Sequence, residues 1–147
     1  MRAEERLGRR EEALASYDRA IELDPKDALT HYNRGSVLKD LRRYEEALAS
    51  YESAIALNGN YAEAHVNRGN VLQELWRDEA AIESFGRAIA LNPAIAQAFH
   101  GLGVSLHRLK RLEQALTAYN KAIALKPDLA AAYLGRGSLL EIGRAHV

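Results

Sequence analysis

The sequence predicts an all-α fold, a solenoid of antiparallel helix pairs stacked one on the next. Three observations carry that prediction. The chain of 147 residues repeats itself at a spacing of 34: Gly35, Gly69, Gly103 and Gly137 form one column, and Ala13, Ala47, Ala81 and Ala115 another. Within each copy, small and apolar residues recur at the spacing of a helix face. One slot per copy holds a helix breaker, Pro25, Gly59, Pro93 and Pro127. A unit of this length cannot bury its apolar face alone and does so by stacking on its neighbours.

The elements follow in order. Residues 1–27 hold part of a unit, mainly its second helix, with Gly8 in the turn before it. Residues 28–61 form the first full unit. Its first helix is expected over Ala28–Leu41, with a stripe of His31, Gly35 and Leu38. A glycine inside a helix costs about 1 kcal/mol relative to alanine. Four copies of that cost imply close approach of the partner helix, with small Ala47 and Ala54 facing the glycines. The second helix is expected over "YEEALASYESAIALN", Tyr44 to Asn58. Ala47, Tyr51, Ala54 and Ile55 share one face of it. Glu45 and Glu46 fall in its first turn, where carboxylates complement the helix dipole. Gly59 stops it.

Residues 62–95 and 96–129 repeat the pattern, down to the hexapeptide "NRGNVL" at Asn67 that echoes "NRGSVL" at Asn33. Tyr17, Tyr51, Phe85 and Tyr119 make an aromatic column, and Ala20, Ala54, Ala88 and Ala122 a further small one. Residues 130–141 supply the first helix of one more unit. Residues Ile142 to Val147 break the repeat and, back-translated, resemble a sequencing adapter, so they are expected to be a non-native tail.

Composition excludes several function classes. Twenty basic and twenty acidic residues balance, which argues against a nucleic-acid or anionic membrane surface. There is no cysteine, so thiol chemistry and disulfides are ruled out. No run of about 18 apolar residues is available to cross a bilayer. Localisation is open, with the cytoplasm as the default expectation.

A 34-residue helix-turn-helix unit with glycine at position 8, alanine at 20 and 27, an aromatic at 24 and proline at 32 resembles the tetratricopeptide repeat (TPR) family. Position 1 is Ala28, Ala62, Ala96 and Ala130. The resemblance covers Met1 to about Glu141 and implies a right-handed α-solenoid of three full repeats between two partial ones. Two positions depart from the family pattern. Position 4, usually Trp or Tyr, holds His31, His65, Phe99 and Tyr133; position 7, usually Leu, holds Arg34, Arg68, Leu102 and Arg136.

Catalytic chemistry is thin. His31 and His65 stand on neighbouring helices about 8–10 Å apart, and His100 and His107 stand about 10.5 Å apart along one helix. Neither pair suits one zinc ion. No nucleophile elbow or phosphate loop is present. No catalytic residue, metal ligand or cofactor is expected.

What remains is surface. The resemblance places first helices on the concave side. Position 5 reads Tyr32, Val66, His100 and Leu134, a column of apolar or amphipathic anchors. Position 6 reads Asn33 and Asn67, then Gly101 and Gly135. An asparagine amide can bond a peptide C=O and N–H together. The groove candidates are therefore Tyr32, Asn33, Ser36, Val66, Asn67, Asn70, His100 and Leu134. The arginine column is expected to pack its stems and reach water or carboxylates with its heads. Trp76, in an inter-helix turn, is expected to cover the neighbouring repeat; the alternative is an exposed anchor for a partner.

The expected function is a protein-interaction scaffold with a peptide or protein ligand, no nucleic acid and no membrane. A carboxylate clamp is not expected, since position 5 carries no lysine. Uncapped ends are expected to allow end-to-end self-association. The alternative is a substrate-presenting arm of a larger enzyme, because the Asn-Arg-Gly wording also resembles bacterial arrays fused to glycosyltransferase-like domains.

Overall fold

The structure, a computed structural model, describes the backbone of residues 1–145 and the side chains of residues 1–142. Among the described residues there are eight helices: α1 (Ala3–Leu23), α2 (Ala28–Asp40), α3 (Tyr44–Leu57), α4 (Ala62–Glu74), α5 (Asp78–Leu91), α6 (Ala96–Arg108), α7 (Leu112–Leu125) and α8 (Ala130–Ala145). Three hairpins, α2/α3, α4/α5 and α6/α7, stack between α1 and α8. The first helices α2, α4, α6 and α8 each touch the next first helix, whereas the second helices α1, α3, α5 and α7 make no contact with one another. The array therefore curves with the first helices on the inside.

Each hairpin closes through the same turn. Arg42, Trp76 and Lys110 adopt left-handed backbone, with φ of 60°, 57° and 62°. The next N–H reaches back to the helix: Arg43 to the Leu38 carbonyl at 2.9 Å, Arg77 to Leu72 at 2.8 Å and Arg111 to Leu106 at 2.9 Å. This is the Schellman arrangement, which satisfies the last carbonyls of the first helix and usually places glycine at the left-handed residue. Gly8, expected in an equivalent turn, instead lies inside α1. Residues 1–9 are all exposed, so nothing packs against them to hold a turn, and continued helix satisfies their backbone.

The connections between hairpins are equally regular. Asp24, Asn58 and Asn92 each accept a hydrogen bond from the backbone N–H two residues on, at 3.2, 3.1 and 3.1 Å. His31 Nε2 sits 2.9 Å from the Pro25 carbonyl and His65 Nε2 3.2 Å from that of Gly59. The position-4 histidines thus tie the first two connections to the helices they precede.

The core corrects one sequence expectation. The glycine column faces the aromatic column, not the alanines. A Cβ on Gly35 would stand 2.9 Å from Tyr51 Cδ1, on Gly69 2.8 Å from Phe85 Cε1, and on Gly103 2.7 Å from Tyr119 Cδ1. Each ring lies against bare helix backbone. The next repeat presses from the other side: a Cβ on Gly101 would stand 2.6 Å from Phe85 Cε1, and on Gly135 2.7 Å from Tyr119 Cε1. Phe85 and Tyr119 are each held between two glycines of consecutive first helices. The alanines Ala47, Ala54, Ala81, Ala88, Ala115 and Ala122 are fully buried around the rings. Burying one ring contributes about 4–6 kcal/mol as an upper estimate. Tyr51 keeps its hydroxyl bonded to Ser36 Oγ at 3.1 Å, and burial pushes its pKa up to about 12.

On α8 the seat is present and uncovered. Gly137 has no neighbour within 4 Å of its would-be Cβ, and Tyr133, Leu134 and Leu140 are exposed. The helix continues past the expected boundary at Glu141 to Ala145; one interior glycine, Gly143, does not cost enough to end it. Of the expected non-native tail, His146 and Val147 lie outside the described residues.

Two stability predictions arise from these turns. Gly59 occupies the proline slot without a positive φ. Asn58 before it has φ −144° and ψ 92°, as Asp24 has before Pro25. That extended backbone is what a following proline requires, and no backbone hydrogen bond from the Gly59 N–H is present among the described residues. Gly59→Pro should raise stability by about 0.4–1 kcal/mol in chemical denaturation. Lys110→Gly should also stabilise, by about 0.5–1 kcal/mol, because relief of left-handed strain exceeds the entropic cost of glycine.

Candidate functional site

The inner face carries a concavity of about 290 Å³ lined by Tyr32, Glu63, Val66, Asn67, Asn92, Ile95 and Gln97. Its lining comes from three consecutive repeats, with Tyr32 from the first full one and Gln97 from the third. Tyr32 on α2 and Val66 on α4 supply its apolar floor, with Ile95 from the α5–α6 connection beside them. Tyr32 is positioned by other rings, 4.8 Å from Tyr61 and 5.8 Å from Tyr51 between centroids. Glu63 is the only charged group in the lining. The surface is otherwise apolar or amide.

The sequence candidates fare differently. Tyr32, Val66 and Asn67 come together at this concavity. The Asn67 amide is not free for a ligand: Nδ2 donates to the Tyr32 hydroxyl at 2.9 Å and Oδ1 accepts from Lys39 Nζ at 3.0 Å. It braces the floor. Ser36 is similarly committed, donating to the Tyr32 carbonyl at 3.2 Å and meeting the Tyr51 hydroxyl. Asn33 and Asn70 are half-buried, and no internal side-chain hydrogen bond is found for them among the described residues. His100 lies farther along, half-buried with its ring 6.1 Å from Tyr119. Burial lowers its pKa, which favours the neutral ring. Leu134, 74% exposed, stands apart on α8.

Position 6 has two roles that sequence reading merged into one. In the first two full repeats it carries an asparagine on the inner face. In α6 and α8 it is the glycine against which the preceding ring packs. The asparagine ladder ends at Gly101 because Phe85 occupies the space a side chain would need.

The arginine column belongs to the seams between repeats. Arg34 Nε donates to Asp18 Oδ1 at 2.6 Å and Nη1 to Ser50 Oγ at 2.7 Å. Arg68 repeats this with Glu52 at 3.2 Å and with Ser84. Arg136 bonds Asn120 at 3.1 Å. The partners stand 16 residues before and after the arginine. Where Leu102 replaces arginine, those two positions are Gly86 and Ala118. That offset was a readable signal, and it explains the departure at position 7: each head pins its own hairpin to the preceding one.

Two concavities on the outer side, of about 230 and 300 Å³, are formed around these same groups, His31 with Arg34 and His65 with Arg68. Along the turn edge, Arg43, Arg77 and Arg111 pair with Glu11, Glu45 and Glu79 of the preceding repeat, at 3.8 Å for the first and 2.6 Å for the last. Exposed pairs of this kind contribute little individually. Trp76 covers its neighbour only through Arg108 of the next repeat, 4.0 Å from the ring centroid, and otherwise faces water. It is 73% exposed. Among the described residues no group of three potential metal ligands occurs, and no helix is long and apolar enough to cross a membrane.

Comparison with known proteins agrees with this geometry. Models described as TPR repeat and tetratricopeptide repeat match residues 6–42, 35–75, 62–95 and 106–142. The fold is similar to the crystal structure of MamA, at 28% identity and a TM-score of 0.90, covering 99% of this chain and 86% of that one. It is also similar to the first TPR of Spaghetti (RPAP3) bound to HSP90 peptide SRMEEVD, at 22% identity and a TM-score of 0.78, covering 81% and 94%. The Arabidopsis OM64 TPR domain matches at 22% identity and a TM-score of 0.77, covering 82% and 96%. No curated protein sequence matches. With its glycine seats, aromatic column and hairpin turns accounted for, the chain belongs to the tetratricopeptide repeat family.

Proposed function

We propose that the chain is a protein-interaction scaffold whose inner face receives a segment of a partner protein. The observation that carries this reading is the concavity at Tyr32, Val66 and Ile95, a preformed apolar floor bordered by amide groups. Such a floor suits an extended or helical segment that inserts an apolar side chain; Asn33 and Asn70, on the same helices but outside the lining of the concavity, would bond the backbone of a segment that runs beyond it. Braces from Asn67 and the Tyr61 ring fix the floor before binding, which lowers the ordering cost.

The lining also argues about charge. The Spaghetti (RPAP3) structure holds the peptide SRMEEVD, rich in carboxylates. Here Lys39 is committed to Asn67, and the concavity itself contains Glu63 and no cation. A neutral or apolar segment fits this surface better than an acidic chain end. No feature of the groove favours the alternative of an enzyme's substrate-presenting arm.

The test is calorimetry with a peptide selected by display against the folded chain. Asn33→Ala and Asn70→Ala should each weaken binding by about 0.5–1.5 kcal/mol, roughly two- to tenfold, without changing the melting temperature. Unchanged affinity in both, with Val66→Thr also silent, would remove the groove from the account. Asn67→Ala should behave differently and lower stability by about 1–2 kcal/mol, since it strips two internal hydrogen bonds. Denaturation curves separate the two classes of asparagine.

A further inference from the structure

The turn between α4 and α5 departs from its sister turns at several positions together. Trp76 holds the left-handed place that Arg42 and Lys110 hold elsewhere. Arg108 of α6 lays its guanidinium over the indole, 4.0 Å from the ring centroid; the equivalent residues in α2 and α4 are Asp40 and Glu74. Arg108 Nη1 is fixed by the Gln73 carbonyl at 3.0 Å and by Asp78 Oδ1 at 3.3 Å. Asp78, only 7% exposed, also accepts from Ser105 Oγ at 2.9 Å, and Ser105 accepts from Gln73 Nε2 at 2.7 Å. At the Asp78 position the sister hairpins carry Tyr44 and Leu112, and at the Ser105 position Val37 and Val71.

An apolar pair at that seam would bury surface without desolvating a carboxylate. What the polar set adds is a fixed Arg108, and what Arg108 adds is a fixed indole. A bulky residue in left-handed backbone costs about 1–2 kcal/mol, and an indole that remains exposed regains little of it by burial. The result is a preordered tryptophan–arginine pair facing water. These two residue types dominate measured interface energetics, and cation–π stacking holds them in one geometry.

The unused edge of the guanidinium sets the partner. Arg108 Nε and Nη2 make no hydrogen bond among the described residues, leaving one edge of the fork for a carboxylate. Lys110, in the next turn, and Arg42, in the preceding one, form no ion pair among the described residues, whereas Arg43, Arg77 and Arg111 are paired with glutamates. Asp40 and Glu74, exposed on the same edge, form no ion pair among the described residues either, so the open edge of Arg108, and not a surplus of positive charge, is what selects a carboxylate.

We propose that Trp76 and Arg108 form a second docking surface, on the turn edge of the array, for an acidic segment of a partner protein. A carboxylate of that segment meets the open edge of Arg108, an adjacent apolar side chain covers Trp76, and Lys110 adds attraction. This surface is separate from the inner groove and does not rest on its function.

Trp76 is the only tryptophan in the chain, so its emission reports on this surface alone. The probe is a short glutamate-rich peptide with one central leucine; controls are the same peptide with lysine in place of glutamate, and a short single-stranded oligothymidylate. The acidic peptide should change Trp76 emission saturably, more weakly as salt rises, and neither control should. By calorimetry, Arg108→Gln, Lys110→Glu and Trp76→Gly should each reduce affinity for the acidic peptide, the first by about tenfold or more. Glycine fits the left-handed position, so Trp76→Gly should remain folded by circular dichroism. The proposal is overturned by no saturable change at millimolar acidic peptide, by an equal response to either control, or by unchanged calorimetric affinity in Trp76→Gly.

Discussion

An aromatic ring laid against glycine backbone is the contact on which this array depends. Tyr51, Phe85 and Tyr119 project from second helices onto Gly35, Gly69 and Gly103. The glycines cost helix stability locally. They are retained because no Cβ can coexist with the ring, so the two helices approach more closely than side chains would permit. The small alanines complete the enclosure. For Phe85 and Tyr119, Gly101 and Gly135 close the other side, and one ring then sets both the geometry of its hairpin and the spacing to the next.

The rest of the molecule follows from that spacing. First helices brought close enough to touch one another form the inner face, and the arginines at position 7 pin successive hairpins from the outer side through Asp18, Ser50, Glu52 and Ser84. Side chains are thereby fixed at the inner concavity before any ligand arrives. The α4–α5 turn is the one junction of this kind where the repeated pattern yields to a local polar network, and it is also where an indole is left facing water. A rule broken at one copy among several, at a cost in desolvation, marks a place where stability is not the selected property.

Much of this was legible in the sequence. Starts at Ala28 and Tyr44 agree with the helices found, and the ends differ by one residue, Leu41 against Asp40 and Asn58 against Leu57. Repetition made this possible, because breaker, small and aromatic columns each report the same boundary several times. Roles that depend on the next repeat were harder to read. Asn67 looked like a ligand group because its partners, Tyr32 and Lys39, are 35 and 28 residues away. Gly101 looked like a missing rung, and its reason is a ring in the preceding hairpin. Gly8 copied a turn residue, yet lacked the packed helix that makes the turn. Periodicity reports which face a residue occupies and not which side chain meets it there.

The central claim is that the rings and glycines form one packed unit, and a double-mutant cycle on Gly101 and Phe85 tests it most directly. Gly101→Ala gains about 1 kcal/mol of helix propensity but drives a methyl into a fully buried ring. Overpacking of that kind costs about 1–3 kcal/mol. Chemical denaturation should show Gly101→Ala destabilising in the native background and stabilising in a Phe85→Ala background, where the ring is gone. The same sign and size in both backgrounds would show that the two positions are independent, and would contradict the account.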